Sequence, residues 1–169
     1  SDFELTPYLK EGENKLAAQV FKWTAGSWCE DQDFFRFCGV ARDSYLYTRA
    51  AKHIEDIRVV GNLDDSFTNG TLDVNLKLTD NLQALVELMD AKGKAVGSIT
   101  LKGKEAKGQI QVANVLKWTA ETPNLYTAKV TLQDAKGKAL ETVNVKTGFR
   151  RVEIKNAQLL VNGQPILIK

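Results

Sequence analysis

Leu72-Asp73-Val74-Asn75-Leu76-Lys77-Leu78 sets an apolar residue at every second position, the period of a strand that buries one face and wets the other. The same alternation returns around Leu85, Val86 and Leu88 and in Ala128, Val130 and Leu132. Working outward, strand-like runs fall near 15–22, 44–49, 52–61, 70–79, 82–89, 94–102, 107–114, 125–133, 138–146, 148–155 and 157–160, and almost nothing carries a helical period. Short alternating runs separated by turn residues are the pattern of an all-β antiparallel sandwich.

The turns support that reading. Asp90-Ala91-Lys92-Gly93-Lys94-Ala95 returns unchanged as Asp134-Ala135-Lys136-Gly137-Lys138-Ala139, each time between two strand-like runs. An Asp that bonds the turn backbone and a Gly at positive φ fit a type I turn closed by a bulge. Asn69-Gly70 and Asn162-Gly163 are further tight-turn candidates.

With 169 residues, 43% of them hydrophobic, the chain can bury one ordinary core and part of a second. Lys and Arg number 23 against 21 Asp and Glu, and a net charge of +2 argues against nucleic acid or an anionic membrane as partner. No apolar run approaches the roughly 18–20 residues of a membrane span, and the opening Ser1-Asp2-Phe3-Glu4-Leu5 lacks the order of a signal peptide. The chain is expected to be soluble. Met89 is the only methionine, so Ser1 is read as a cut or processed end. Cys29, Cys38 and the single His53 cannot form a familiar Cys/His zinc site; the thiols are expected to be buried, with a disulfide as the alternative. An aromatic-rich opening (Phe21, Trp23, Trp28, Phe34, Phe35, Phe37, Tyr45, Tyr47) gives way near residue 50 to Lys-rich aliphatic strands, which sets a domain boundary at 49–52. The opening is too short for an independent sandwich and is expected to be the tail of another β domain.

Three stretches carry a family likeness. Gly12-Glu13-Asn14-Lys15-Leu16-Ala17 through Trp23, then Gly26-Ser27-Trp28-Cys29-Glu30-Asp31-Gln32-Asp33, Phe35-Arg36, Gly39 and Arg42-Asp43 resemble the end of the sugar-binding jelly roll of bacterial β-galactosidases. Val115-Leu116-Lys117-Trp118-Thr119-Ala120-Glu121-Thr122-Pro123-Asn124-Leu125-Tyr126 resembles the Trp-x-x-Glu-x-Pro-x-Leu-Tyr element of their immunoglobulin-like second domain. Gly148-Phe149-Arg150-Arg151-Val152-Glu153-Ile154 and Leu160-Val161-Asn162-Gly163-Gln164-Pro165-Ile166-Leu167-Ile168-Lys169 are similar to the lead into the catalytic barrel. The likeness, to family-two glycoside hydrolases, implies jelly-roll strands over 1–50, an immunoglobulin-like antiparallel β-sandwich over 51–148 and a connector over 149–169. Phe35, Cys38, Ala41 and Ala25 depart from the common pattern and leave β-glucuronidase-like and β-mannosidase-like parents open.

The same likeness places both catalytic carboxylates beyond Lys169, so the chain is expected to be a non-catalytic spacer. Retaining hydrolysis needs two carboxyl groups roughly 5–5.5 Å apart across one sugar. The implied partners are the catalytic barrel and sugar-binding domain of the same polypeptide, a β-galactoside substrate of the whole enzyme and further copies in a homo-oligomer. No cofactor is expected on the chain itself, with sodium and magnesium reserved for the whole enzyme. Asp33, by resemblance, would reach the galactose 6-hydroxyl and a bound sodium ion, tasks that suit a hard oxygen ligand; a loop Asp capping backbone amides is the alternative. Trp23, Trp28 and Phe35 would form either a sugar-stacking platform or core. Trp118, Glu121, Pro123 and Tyr126 are read as structural anchors, with the Trp118 indole N–H seeking a backbone acceptor. His53 is read as a surface or linker residue, Asp64–Gly70 as a faint calcium-loop pattern, and Asn69-Gly70-Thr71 as a turn rather than a glycosylation site. The rival function is a free carbohydrate-binding or adhesion module.

Overall fold

A computed structural model describes residues 2–30 and 37–166. The chain divides into two compact units, Ser1–Thr48 and Arg49–Lys169.

In the first unit a 3-10 turn spans Thr6–Tyr8 and a short helix, α1, spans Ala25–Cys29. Thr24 and Ser27 cap α1 reciprocally, each side chain accepting from the other's backbone N–H. Among the described residues of this unit there is no strand and no buried side chain. The strands expected over 15–22 and 44–49 are therefore not formed there. A strand exists through the ladder it makes with a neighbour, and alternation without a partner or a core to cover leaves the backbone irregular. Cys29 and Cys38 are free and exposed rather than buried.

The second unit is a sandwich of seven antiparallel strands: β1 (Ile54–Leu63), β2 (Gly70–Leu78), β3 (Gln83–Met89), β4 (Ala95–Lys102), β5 (Glu105–Val112), β6 (Tyr126–Gln133) and β7 (Ala139–Thr147). One sheet has the order β1-β2-β5 and the other β4-β3-β6-β7. Their inner faces follow the alternation seen in sequence: Leu72, Val74, Leu76 and Leu78 from β2 meet Ala84, Val86 and Leu88 from β3 and Ala128, Val130 and Leu132 from β6 in one core. Completely burying a side chain of this size is worth about 1.5–3 kcal/mol, so these three strands dominate the driving force. Glu141 of β7 closes one side, accepting from the Ile54 N–H at 2.7 Å while Arg49 sits 3.6 Å from its carboxylate.

The two repeated hairpin loops share one geometry. Asp90 Oδ1 accepts from the N–H groups of Lys92 and Lys94, both at 2.9 Å, and Asp134 Oδ1 accepts from Lys136 at 2.8 Å and Lys138 at 2.9 Å. Gly93 and Gly137 both take φ 80°. Because β3 and β6 run antiparallel, the loops stand at opposite ends of the four-stranded sheet.

Residues 149–166, within the stretch expected as a connector, belong to this compact unit. Phe149 is fully buried in the sandwich core, bridged in parallel to both Gly61 and Lys117. Beyond it β8 (Val152–Lys155), β9 (Gln158–Val161) and β10 (Gln164–Pro165) form a small antiparallel sheet of order β10-β9-β8. Its turns, Asn156-Ala157 (φ 51° and 57°) and Asn162-Gly163 (φ 51° and 75°), have positive φ at both central residues, the type I′ geometry that matches strand twist.

Candidate functional site

The anchors singled out in sequence gather at one end of the sandwich. Tyr126 opens β6 with its ring buried, and its hydroxyl accepts a hydrogen bond from the Leu116 N–H at 2.9 Å. This is a tyrosine corner, the tie that pins the crossover before such a strand. Its ring meets Phe149 edge to face at 5.0 Å. Trp118 and Pro123 form an isolated antiparallel bridge, and the Trp118 N–H donates to the Phe149 carbonyl at 2.9 Å. The indole N–H has no acceptor among the described residues; instead the Arg150 guanidinium stacks 4.6 Å from the ring centroid. Glu121 is exposed and its carboxylate makes no bond among the described residues. Thr119 and Thr122 close the loop that carries it.

Asn162, read only as a turn residue, completes this corner. Its side chain donates to the Trp118 carbonyl at 2.9 Å and accepts from the Arg151 N–H at 3.0 Å, which fastens the small sheet to the crossover loop. The roles of Glu141 and Phe149 escaped sequence reasoning, and for Asn162 the sequence signalled the turn but not its bond to Trp118.

Of the sugar-site candidates, Asp33 and Phe35 lie outside the described residues. Trp23, just before the N-cap of α1, and Trp28, within α1, are stacked on each other with centroids 5.6 Å apart, and both are exposed.

The Asp64–Asn69 loop satisfies its own acidic group. Asp64 Oδ1 accepts from the Thr68 N–H (2.9 Å), the Ser66 hydroxyl (2.9 Å) and the Asn69 N–H (3.2 Å), and Oδ2 from the Asn69 amide (2.9 Å). These donors, Thr68 foremost, hold its pKa at about 2, and they occupy the oxygens a calcium ion would need. Asn69-Gly70 is not a two-residue turn: Gly70 begins β2, and what its missing Cβ provides is room for Phe149. Next to the loop, Arg151 pairs with Asp65 at 2.6 Å and Glu153 at 3.1 Å, which raises its pKa further. Together with Phe67 and Leu160 they line a cleft of about 320 Å³.

Most other carboxylates of the sandwich are also engaged in structure: Glu55 with Lys77, Asp80 with Lys52, Glu87 with Lys129, and Asp73 with Asn62 and Gln109. The His53 ring donates from Nδ1–H to the Ala50 carbonyl, 2.7 Å away, and its backbone N–H donates to Thr79 Oγ1, a linker role. No cluster of three or more His, Cys, Asp or Glu among the described residues could hold a metal ion, and no helix is long and apolar enough to cross a membrane.

Fold and corner together define an immunoglobulin-like β-sandwich domain. Residues 52–150 match Glycosyl hydrolases family 2, and residues 1–50 match the sugar binding domain of that family. The chain belongs to glycosyl hydrolase family 2. Among curated relatives it is 39% identical to a β-galactosidase of Clostridium acetobutylicum, which it matches over 100% of its own length and 19% of the relative's. It is 37% identical to a β-galactosidase of Priestia megaterium, again over its whole length and 18% of the relative. A solved β-glucuronidase from Ruminococcus gnavus in complex with D-glucaro 1,5-lactone superposes with a TM-score of 0.60 at 29% identity, covering 68% of this chain and 19% of that one. The chain thus spans under a fifth of the length of these relatives.

Proposed function

We propose that the chain is a non-catalytic structural segment of a β-galactosidase-type glycoside hydrolase, in which the sandwich serves as a spacer beside the catalytic domain. The observation that carries this is the match to β-galactosidases along the whole chain over only 18–19% of their length. It is supported by the engagement of most sandwich carboxylates among the described residues in ion pairs and turn caps. Residues 1–48 contribute to the sugar-binding domain, and their exposed aromatic residues are covered by other parts of that domain. Asp33 contacts the sugar and a sodium ion in the whole enzyme, and any magnesium also belongs there. The barrel and sugar-binding domain are its partners within one polypeptide, which assembles as a homo-oligomer.

The test is to express the longer protein from its source gene and assay nitrophenyl β-galactoside and nitrophenyl β-glucuronide. Preference for the galactoside supports the reading. Preference for the glucuronide moves the assignment to the second specificity, which the β-glucuronidase likeness favours. The exposed Trp23–Trp28 pair favours one further reading, a free sugar-binding module, and saturable heat on titrating the 169 residues with galactose or lactose would support it.

A further inference from the structure

The small sheet β8-β9-β10 sorts its side chains by parity. Glu153 pairs with Leu160, and this face, with Arg151, turns toward Phe67 and the Asp64–Asn69 loop, where Leu160 is buried. The opposite face is a grid of two rungs. Val152, Val161 and Gln164 form one; Ile154 and Leu159 form the other, extended by Ile166, whose N–H donates to the Leu159 carbonyl at 3.1 Å. Five of these six positions are apolar and none is charged, yet Val152 is 55% exposed, Ile154 79% and Ile166 41%.

We infer that this face is an intramolecular docking surface, covered by an apolar surface of the chain that continues the polypeptide in the whole enzyme. The inference rests on the proposed membership in a longer hydrolase. A sheet with apolar side chains on both faces is a middle layer, packed from both sides, and only the Phe67 side is packed by the sandwich. Residues 151–166 also lie beyond the span matched by the sandwich family, 52–150, while relatives that match the whole chain are more than five times its length. Size selects the occupant. Three strands about 4.8 Å apart and two rungs about 6.8 Å apart cover roughly 200 Å², whereas a stable interface between separate chains buries about 800 Å² on each partner. Covalent continuity supplies the effective concentration that so small a patch lacks.

Hydroxyl-radical footprinting of the longer protein and of the 169-residue chain tests this. The expected result is severalfold lower labelling of Val152, Ile154 and Ile166 in the longer protein, unchanged on serial dilution. Equal labelling in both overturns the inference, and protection lost on dilution also overturns it by assigning the face to a second copy. Ile154→Asp gives an independent readout: it lowers the melting temperature of the longer protein and leaves that of the 169-residue chain unchanged, while an equal fall in both contradicts the inference. Should the longer protein prove not to be a hydrolase, the proposed function fails, and the footprint still decides whether the face is covered.

Discussion

A Cβ placed on Gly70 would stand 2.5 Å from Cδ1 of Phe149, with Cε1 of the same ring at 2.7 Å and Val115 Cγ1 at 2.9 Å. The ring of residue 149 fills the space that the start of β2 leaves empty, so the last core side chain is keyed to a glycine far away in sequence.

Gly70→Ala should therefore destabilise by about 1–3 kcal/mol, the usual cost of forcing a methyl into a packed core. Chemical denaturation is the check. The contrast is Gly93→Ala, where nothing lies within 4 Å and the cost comes from φ 80° alone, about 1 kcal/mol.

Tyr126→Phe keeps the ring against Phe149 and deletes the acceptor of the Leu116 N–H. A lost hydrogen bond of this kind costs about 1 kcal/mol, and amide exchange at Leu116 should quicken more than exchange in the middle of β3. An unchanged Leu116 amide would show that the corner does not hold the crossover.

How far the sequence could be read follows from where each signal resides. Residues 70–78 and 126–133 were legible because a half-buried strand writes its burial into every second residue, and the two Asp-Ala-Lys-Gly-Lys-Ala loops because their hydrogen bonds are local. The runs at 15–22 and 44–49 misled because alternation tells what a strand would bury and is silent on whether a partner strand lies beside it. Phe149 sits among Gly148, Arg150 and Arg151 with no period around it, and its role arises from gaps on β1 and β2. Asn162 was legible as a turn, but its bond to Trp118 spans 44 residues, as the Glu141 bond to Ile54 spans 87. Of the candidate sugar contacts, Trp23 and Trp28 are stacked together, whereas Asp33 and Phe35 lie outside the described residues.

Asp64 should give the fold an acid-sensitive element. Its pKa is depressed from 3.8 to about 2 by the Thr68, Ser66 and Asn69 donors. A depressed carboxylate contributes stability that is fully present above its unfolded pKa and is lost as pH falls through the folded value. Its contribution should thus fade between about pH 4 and pH 2, and Asp64→Asn should flatten the stability profile in that window while leaving its shape near neutrality unchanged. Paired denaturation curves across the acid range check both parts.

Asn162 can be dissected with two substitutions. Asn162→Gly removes both side-chain bonds but accepts the φ of 51°, whereas Asn162→Ala loses the same bonds and adds left-handed strain of about 1–2 kcal/mol. The alanine variant should be the less stable, and in both the β8–β9 amides should exchange faster than those of β6. Equal stability of the two variants would remove the backbone part of this account.

The most direct test of the non-catalytic assignment is a single assay: nitrophenyl β-galactoside hydrolysis by the purified 169-residue chain, followed through gel filtration beside the longer protein. The expected result is turnover from the longer protein and none above the blank from the 169 residues. Turnover that co-elutes with the short chain would contradict the assignment and place a catalytic pair within it.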